Sequence, residues 1–173
     1  MKFFSGFALQ GDDIYLKEYI EPSDYSVCGF SYGAVIALKY TMNQLKNRKR
    51  VDRLQLFSPA FFQTKDEKFK KLQLLGYRKN QELYLKEFVK SCFLPYKERS
   101  ISNAQSSIDE LDELLHFIWD KEEFYRLKDS GVKIEVYLGG EDKIIDIEGA
   151  REFFLEVATV TYIKDANHFL LTN

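Results

Sequence analysis

Long apolar runs and cysteine are both scarce in this chain of 173 residues. No apolar run approaches the roughly 20 residues that a membrane-spanning helix needs, and the start, Met1-Lys2-Phe3-Phe4, is too brief for a signal peptide. The sequence therefore predicts a cytoplasmic protein with no membrane contact. The two cysteines, Cys28 and Cys92, show no metal-ligand spacing, and we expect both to be core thiols in a reducing compartment.

A large excess of charge of either sign is also missing, because 25 basic and 27 acidic residues leave a net charge of −2. This slight acidity, together with the lack of a recognition motif, argues against nucleic-acid binding. The sequence suggests no metal, nucleotide or redox cofactor. Hydrophobic residues, in contrast, make up 45% of the chain, which suffices for the core of a single domain over residues 1–173.

Short apolar runs alternate with helical patterns along the chain. Such alternation favours an α/β fold with a mostly parallel sheet of about five strands. The strands are predicted at Lys2 to Phe4, Tyr25 to Cys28, Leu54 to Phe57, Ile134 to Leu138 and Val160 to Ile163. The helices between them are predicted at Asp12 to Ile20, Ala34 to Leu45 and Ile147 to Val157.

The gap between the third and fourth predicted strands is too long for one crossover helix. It predicts an inserted helical cap over about residues 60–130. Two S/T-x-x-E capping boxes, beginning at Thr64 and Ser107, predict helix starts there, and Asp120 is expected to open a further helix. Leu94-Pro95 and the polar segment from Ser100 to Ser107 predict a break within the cap.

The segment Gly29-Phe30-Ser31-Tyr32-Gly33 lies between the second predicted strand and the helix that follows it. A G-x-S-x-G sequence in this position is typical of a nucleophile elbow, in which a sharp strand-to-helix turn exposes the serine at the carboxyl edge of a sheet. Ser31 is therefore the candidate nucleophile. Taken alone, the pentapeptide also fits a tight turn with no activity.

An acid and a base follow two later strands. Asp142 comes after the fourth predicted strand and His168 after the fifth, so both are expected at the same sheet edge as Ser31. The chain order of serine, aspartate and histidine is that of α/β-hydrolases. Asp142 would orient the imidazole of His168, the candidate base. Asp146 competes as the acid but better suits the start of the next helix, and the other histidine, His116, falls in the cap.

Two backbone N–H groups are expected to bind the oxyanion of a tetrahedral intermediate. The first belongs to Tyr32, directly after the candidate nucleophile. The second should follow the first strand, where Ser5-Gly6-Phe7 occupies the place of a His-Gly-x turn, and we assign it to Phe7. Ser5 departs from the histidine of that turn.

Several segments outside these motifs carry a resemblance to a known family: Phe3 to Phe7, Gly29 to Ser31, Leu56 to Pro59, Phe69 to Leu74, Gly131 to Val136 and Asn167-His168. Nearly end to end, the chain resembles the short pimeloyl-acyl-carrier-protein methyl ester esterases of biotin synthesis, the BioV type. The resemblance implies a small α/β-hydrolase with the triad Ser31, Asp142 and His168. It implies hydrolysis of the distal methyl ester of a pimeloyl chain that is carried on acyl carrier protein. The implied partner is therefore acyl carrier protein, and the implied reaction needs no cofactor. The chain lacks the leading strands of the longer BioH type.

The predicted cap offers two sets of side chains to such a substrate. Its basic first half suits an acidic carrier protein, and its aromatic residues suit an apolar tunnel that would keep the thioester away from the triad. Solvated helix faces and ordinary core packing are the alternatives. The basic candidates are Lys65, Lys68, Lys70, Lys71 and Arg78, and the aromatic candidates are Phe61, Phe62, Phe117 and Trp119.

Two other functions stay open on the sequence alone. The first is a broad short-chain carboxylesterase or thioesterase that needs no carrier protein. The second is an inactive hydrolase fold that binds a partner, although the complete set of Ser31, Asp142 and His168 argues against it.

Overall fold

A computed structural model describes all 173 residues of the chain. Its strands, in chain order, are β1 (Lys2–Phe4), β2 (Leu9–Gln10), β3 (Ser26–Phe30), β4 (Arg53–Phe57), β5 (Ser102–Asn103), β6 (Lys133–Gly139) and β7 (Thr159–Ile163). Its helices are α1 (Tyr32–Lys46), α2 (Glu67–Lys79), α3 (Gln81–Phe93), α4 (Ile108–His116), α5 (Lys121–Asp129) and α6 (Ile147–Val157). None of these helices has the length and apolar character that crossing a bilayer requires.

Five strands form one parallel sheet in the order β1-β3-β4-β6-β7. Residues of β3 pack into two different apolar clusters. Val27 belongs to the larger cluster, whereas Cys28 and Phe30 belong to the smaller one. Both faces of the sheet are therefore covered, which explains why the inner strands have near-continuous apolar sequences. All five predicted strands are confirmed, each within two residues of its predicted ends.

Two of the three predicted crossover helices are confirmed, as α1 and α6, and the one at residues 12–20 is wrong. Only a single turn of 3-10 helix forms there, at Asp12–Tyr15. Gly11 precedes it with a left-handed φ of 74°, and the buried carboxylate of Asp12 accepts a hydrogen bond from the Gly6 N–H at 2.7 Å. The apolar spacing that predicts a helix carries no signal for this bond, which joins residues six apart.

The predicted capping box at Thr64 is also wrong. Asp66 caps α2 instead, because its carboxylate accepts the Phe69 N–H at 2.8 Å. The Thr64 hydroxyl donates to the Asp146 carboxylate, 82 residues away, at 2.5 Å. A tertiary contact has thus displaced the local one.

Helices α2 to α5 lie between β4 and β6, where the long gap predicts an inserted cap. The capping box at Ser107 is confirmed, since its hydroxyl accepts the Glu110 N–H and the Glu110 carboxylate accepts the Ser107 N–H. Asp120 opens α5 as predicted. Within the predicted break, β5 pairs antiparallel with β2 and so ties the cap to the loop after β1.

Both cysteines are buried and form no disulfide, as the sequence predicts. Burial raises the pKa of the Cys28 thiol to about 12 and holds the pKa of the Cys92 thiol well above its usual value. Both sulfurs are therefore protonated at neutral pH and serve as small apolar groups in the core.

Candidate active site

Ser31 lies in a strained turn between β3 and α1. Its φ of 54° and ψ of −117° are a conformation that a non-glycine residue adopts at a cost of about 1–3 kcal/mol. The surrounding backbone holds this turn, because the Ser31 N–H donates to the Phe57 carbonyl at 2.9 Å and the Ser31 carbonyl accepts the Ala60 N–H at 3.1 Å. The geometry is that of a nucleophile elbow.

The two glycines of the elbow are required by close approach of the backbone. A Cβ atom at Gly33 would overlap the Phe4 carbonyl of β1, and one at Gly29 would overlap the Gly33 carbonyl. Without side chains at these two positions, the start of α1 lies directly against β1 and β3.

Asp142 and His168 form a buried pair at the carboxyl edge of the sheet. The Asp142 Oδ2 lies 2.6 Å from the His168 Nδ1, and its Oδ1 accepts the N–H groups of Ile144 at 2.7 Å and Ile145 at 3.3 Å. The carboxylate is thus fixed at both oxygens. The ring of Phe30, the residue before Ser31, packs 4.9 Å from the imidazole.

The other ring nitrogen of His168, Nε2, is buried and has no hydrogen-bond partner within the protein. With Nδ1 donating to Asp142, Nε2 is the unprotonated nitrogen and can accept a proton. A general base needs such an unoccupied acceptor, and in this structure Nε2 makes no hydrogen bond to the Ser31 hydroxyl.

Asn167 holds the loop that carries the histidine, a role that the sequence analysis missed. Its Nδ2 donates to the Phe93 carbonyl at the end of α3, at 2.9 Å. Its Oδ1 accepts the N–H groups of Phe169 at 3.0 Å and Leu171 at 3.1 Å. The side chain is fully buried, so these bonds fix the backbone on both sides of His168. Its place directly before the histidine is the one sequence signal that could have found it.

The two candidate oxyanion donors have unoccupied N–H groups. Phe7 lies outside the strands and its amide makes no hydrogen bond within the protein. Tyr32 is the first residue of α1, where an amide has no partner inside the helix. Both residues are buried. Tyr32 directly follows Ser31, and Phe7 and Ser31 line one cavity in the protein.

Asp12 supports the loop before Phe7 and was also missed by the sequence analysis. Its Oδ2 accepts the Gly6 N–H at 2.7 Å, while its Oδ1 is buried without a partner. Burial raises the pKa of this carboxyl, and the Ser5 side chain and the Gly6 N–H oppose that rise. The bond occupies the Gly6 amide, whereas the next amide, that of the candidate donor Phe7, has no partner within the protein.

Replacing Asp12 with alanine should therefore lower kcat by up to about a hundredfold with little change in KM, because one oxyanion donor loses its support. Asp12→Asn is the matched control, since its side-chain oxygen still accepts the Gly6 N–H. Steady-state kinetics on both variants, with melting curves to verify folding, test the role. An alanine variant that is folded and keeps its kcat contradicts it.

A cavity of about 340 Å³ opens above Ser31. Its lining is mainly apolar and comes from the cap and from the loops after β1 and β6. The apolar side chains include Phe7, Phe62, Phe69, Phe88, Leu111 and Ile145. Polar side chains complete the lining: Lys65, Gln73, Tyr84, Glu87, Ser91 and Lys143.

Only Phe62 among the four predicted tunnel aromatics lines this cavity. Phe61 and Trp119 are buried in the core, where both pack against Phe154. Phe117 packs edge to face on Trp119 at 5.0 Å. The sequence leaves a tunnel wall and ordinary core packing open for these four rings, all of which lie outside the helices.

The predicted docking lysines also occupy different environments. Lys65 lines the cavity, and Lys70 is buried beside Glu67 at 3.4 Å. Lys68, Lys71 and Arg78 are exposed on α2. The structure therefore removes Lys70 from the accessible basic surface.

The competing acid, Asp146, and the second histidine, His116, have other roles. Asp146 caps α6 by accepting the Gly149 N–H at 3.3 Å, which is its predicted place. His116 lies at the end of α4, where its Nδ1 is 3.0 Å from the Asp112 carbonyl. Neither residue contacts the pair formed by Asp142 and His168.

A polar link connects the elbow to the cap. The Tyr32 hydroxyl donates to the Glu113 carboxylate on α4, which also pairs with Lys39 of α1. These two contacts lower the pKa of Glu113, whereas burial raises the pKa of the Tyr32 phenol. The cap is thus bonded to the residue that follows Ser31.

Comparison with known proteins identifies the fold. No protein-family model and no curated protein match the sequence. Among solved structures, an esterase from Exiguobacterium antarcticum has a TM-score of 0.68 at 13% identity, covering 97% of this chain and 85% of its own. A bromoperoxidase from Bacillus anthracis has a TM-score of 0.63 at 14% identity, and the match covers 89% of this chain and 64% of the bromoperoxidase. BioG from Haemophilus influenzae has a TM-score of 0.57 at 12% identity, and the match covers 97% of this chain and 87% of BioG. At these identities the likeness shows the fold, which is that of the α/β-hydrolases.

Proposed function

We propose that this protein is a serine carboxylesterase that hydrolyses the methyl ester of pimeloyl-[acyl-carrier protein] methyl ester. The observation that carries the chemistry is the buried Asp142–His168 pair with its unoccupied Nε2, at the same sheet edge as a serine in a strained elbow. A serine hydroxyl is a weak nucleophile without such a base. The arrangement supplies one within a water-poor site.

The reaction would proceed through an acyl-enzyme. The Ser31 Oγ attacks the ester carbonyl while His168 takes its proton, and the N–H groups of Phe7 and Tyr32 bind the oxyanion that forms. Each donor is worth roughly 3 kcal/mol of barrier. His168 then protonates the leaving methanol, and water hydrolyses the acyl-enzyme by the same route. Asp142 stabilises the imidazolium in both halves.

The cavity supports an acyl substrate of moderate length. Its volume of about 340 Å³ is at the lower end of ligand pockets, which span roughly 300–1,000 Å³. Its apolar walls suit a chain of methylene groups. A chain that enters with its ester end first would leave the thioester outside the reach of Ser31.

The substrate assignment is supported by the resemblance to BioV-type esterases, in segments that border the site. Phe69 and Gln73, from one such segment, line the cavity. Phe57, from another, accepts the Ser31 N–H. These two segments thus contribute residues that line the cavity or bond to Ser31. BioG shares the fold, and its name is in keeping with a role in biotin synthesis.

Methanol release from pimeloyl-carrier-protein methyl ester tests the proposal, with the thioester followed by mass spectrometry in the same sample. We expect methanol to appear while the thioester persists. Equal cleavage of thioester and methyl ester would reject the ester-first orientation. Cleavage of simple esters alone would make the protein a general short-chain esterase, and no turnover of any ester would indicate an inactive binding module.

A further inference from the structure

One short segment of the cap is bonded to the nucleophile elbow at two points. The segment runs from Glu113 on α4 to Trp119, which lies before α5. The Glu113 carboxylate accepts a hydrogen bond from the Tyr32 hydroxyl, and the Trp119 indole N–H donates to the Ala60 carbonyl at 2.9 Å. The Ala60 N–H in turn donates to the Ser31 carbonyl at 3.1 Å. The segment is therefore connected to both of the residues that the proposed chemistry uses at the elbow.

The connection through Trp119 is buried along its whole length. Trp119, Ala60 and Ser31 are 2%, 1% and 4% exposed. The tryptophan is itself fixed, because its backbone N–H donates to the Gln63 side chain at 2.7 Å and its ring packs edge to face on Phe154 at 5.2 Å. A buried indole N–H usually has a hydrogen-bond partner. Here the partner is the residue that holds the backbone of the nucleophile.

The connection through Glu113 joins α4 to the first turn of α1. The Tyr32 side chain is 6% exposed, so its hydroxyl depends on the Glu113 carboxylate as its partner. The same carboxylate pairs with Lys39 of α1. The Lys39 ammonium also lies 5.4 Å from the centre of the Phe117 ring, which is within cation–π distance. Contacts with α1 therefore hold the end of α4 in place.

We infer that Trp119 and Glu113 are positioning residues for the nucleophile and for one oxyanion donor, an inference that rests on the esterase chemistry of the proposed function. A non-glycine residue keeps a strained conformation such as that of Ser31 only where its surroundings determine it fully. Trp119 fixes Ala60, which constrains Ser31, and Glu113 fixes the side chain of Tyr32. A displacement of about 1 Å at a reacting group can lower the rate about a hundredfold. Loosening either connection should therefore lower kcat.

The variant Trp119→Phe tests the first connection, because it removes the indole N–H and keeps an aromatic ring. On p-nitrophenyl acetate, kcat should fall about tenfold while KM changes less than about twofold, since the acetyl group leaves most of the cavity unused. The rate at which a phosphonate labels Ser31 should fall with kcat. The matched control is Phe124→Leu, which trims a buried ring that packs on Trp119 at 5.9 Å and makes no hydrogen bond. The control should lose comparable stability in melting curves and keep its kcat.

The second connection is tested without changing the core. Tyr32→Phe removes only the hydroxyl and should lower kcat about threefold, and Glu113→Ala should do the same. Glu113→Gln should restore kcat, because its side-chain oxygen still accepts the Tyr32 hydroxyl. Tyr40→Phe is the matched control, since it removes a hydroxyl from the same helix α1 and should leave kcat unchanged.

Unchanged kcat in folded Trp119→Phe, Tyr32→Phe and Glu113→Ala overturns the inference, and a loss confined to one connection overturns the role of the other. If Trp119→Phe does not fold, unchanged kcat in the Tyr32 and Glu113 variants overturns it. An equal loss of kcat in Phe124→Leu overturns it by indicating a weakened core, and a raised KM with unchanged kcat overturns it in favour of a cavity wall.

The same measurements separate this inference from the proposed substrate. A wild type that cleaves p-nitrophenyl acetate but not the pimeloyl ester overturns the substrate, and the kcat losses of the variants would still support the positioning roles. A wild type that cleaves no ester and takes up no phosphonate overturns the proposed function and the positioning roles together.

Discussion

Replacing Ser31 with alanine should lower kcat for ester hydrolysis by about a millionfold, because the variant has no nucleophile to form the acyl-enzyme. The fold should survive the change. Alanine has the same steric demand as serine at a φ of 54°, and the Ser31 hydroxyl makes no hydrogen bond within the protein. The loss would thus be chemical.

Burst kinetics and labelling with a serine-directed phosphonate measure this effect, with melting curves recorded in parallel. The control is Ser91→Ala, which removes another hydroxyl from the same cavity and should change the rate only a few-fold. Phosphonate should label the wild type and Ser91→Ala once each and leave Ser31→Ala unlabelled. A labelled or active Ser31→Ala variant would refute the assignment.

Replacing Asp142 with asparagine should lower kcat by about ten-thousandfold without unfolding the protein. The Oδ1 position accepts two backbone N–H groups, those of Ile144 and Ile145, so the asparagine oxygen must occupy it. Its NH₂ group then faces the His168 Nδ1, which must become the acceptor. The ring proton moves to Nε2, and a ring protonated there cannot accept the proton of Ser31.

Asp146→Asn is the matched control for this substitution. Asp146 is four residues further along and caps α6, a role in which asparagine serves about as well as aspartate. The kcat of Asp146→Asn should stay near that of the wild type. An Asp142→Asn variant that keeps more than about a tenth of the activity would show that the pair does not set the tautomer.

The sheet could be predicted from the sequence because its signals are local. Each parallel strand is a short apolar run, and the strand-to-helix turn at Ser31 has a recognisable set of small residues. Since parallel strands end at one edge, the chain positions of Asp142 and His168 indicate that the two belong together, and the structure places them 2.6 Å apart.

What could not be predicted depends on contacts that the apolar pattern does not encode. Thr64 bonds to Asp146, 82 residues away, and Asp12 bonds to Gly6 in the preceding loop. In each case the bond replaces the helical structure that the pattern favours. Whether an inward-facing residue such as Phe61 borders the cavity or the core depends on how helices pack, which periodicity does not encode.

The bond between Asn167 and the Phe93 carbonyl limits how the cap can be exchanged between related proteins. The Tyr96 hydroxyl adds a second bond, to the Asp165 carbonyl at 2.5 Å. Recombination that replaces the cap as one cassette would have to rebuild both bonds to keep the loop of His168, the proposed base, in place. The cap is therefore not a free module: new specificities can be grafted onto α2 and the start of α3, whereas the end of α3 has to be inherited together with His168.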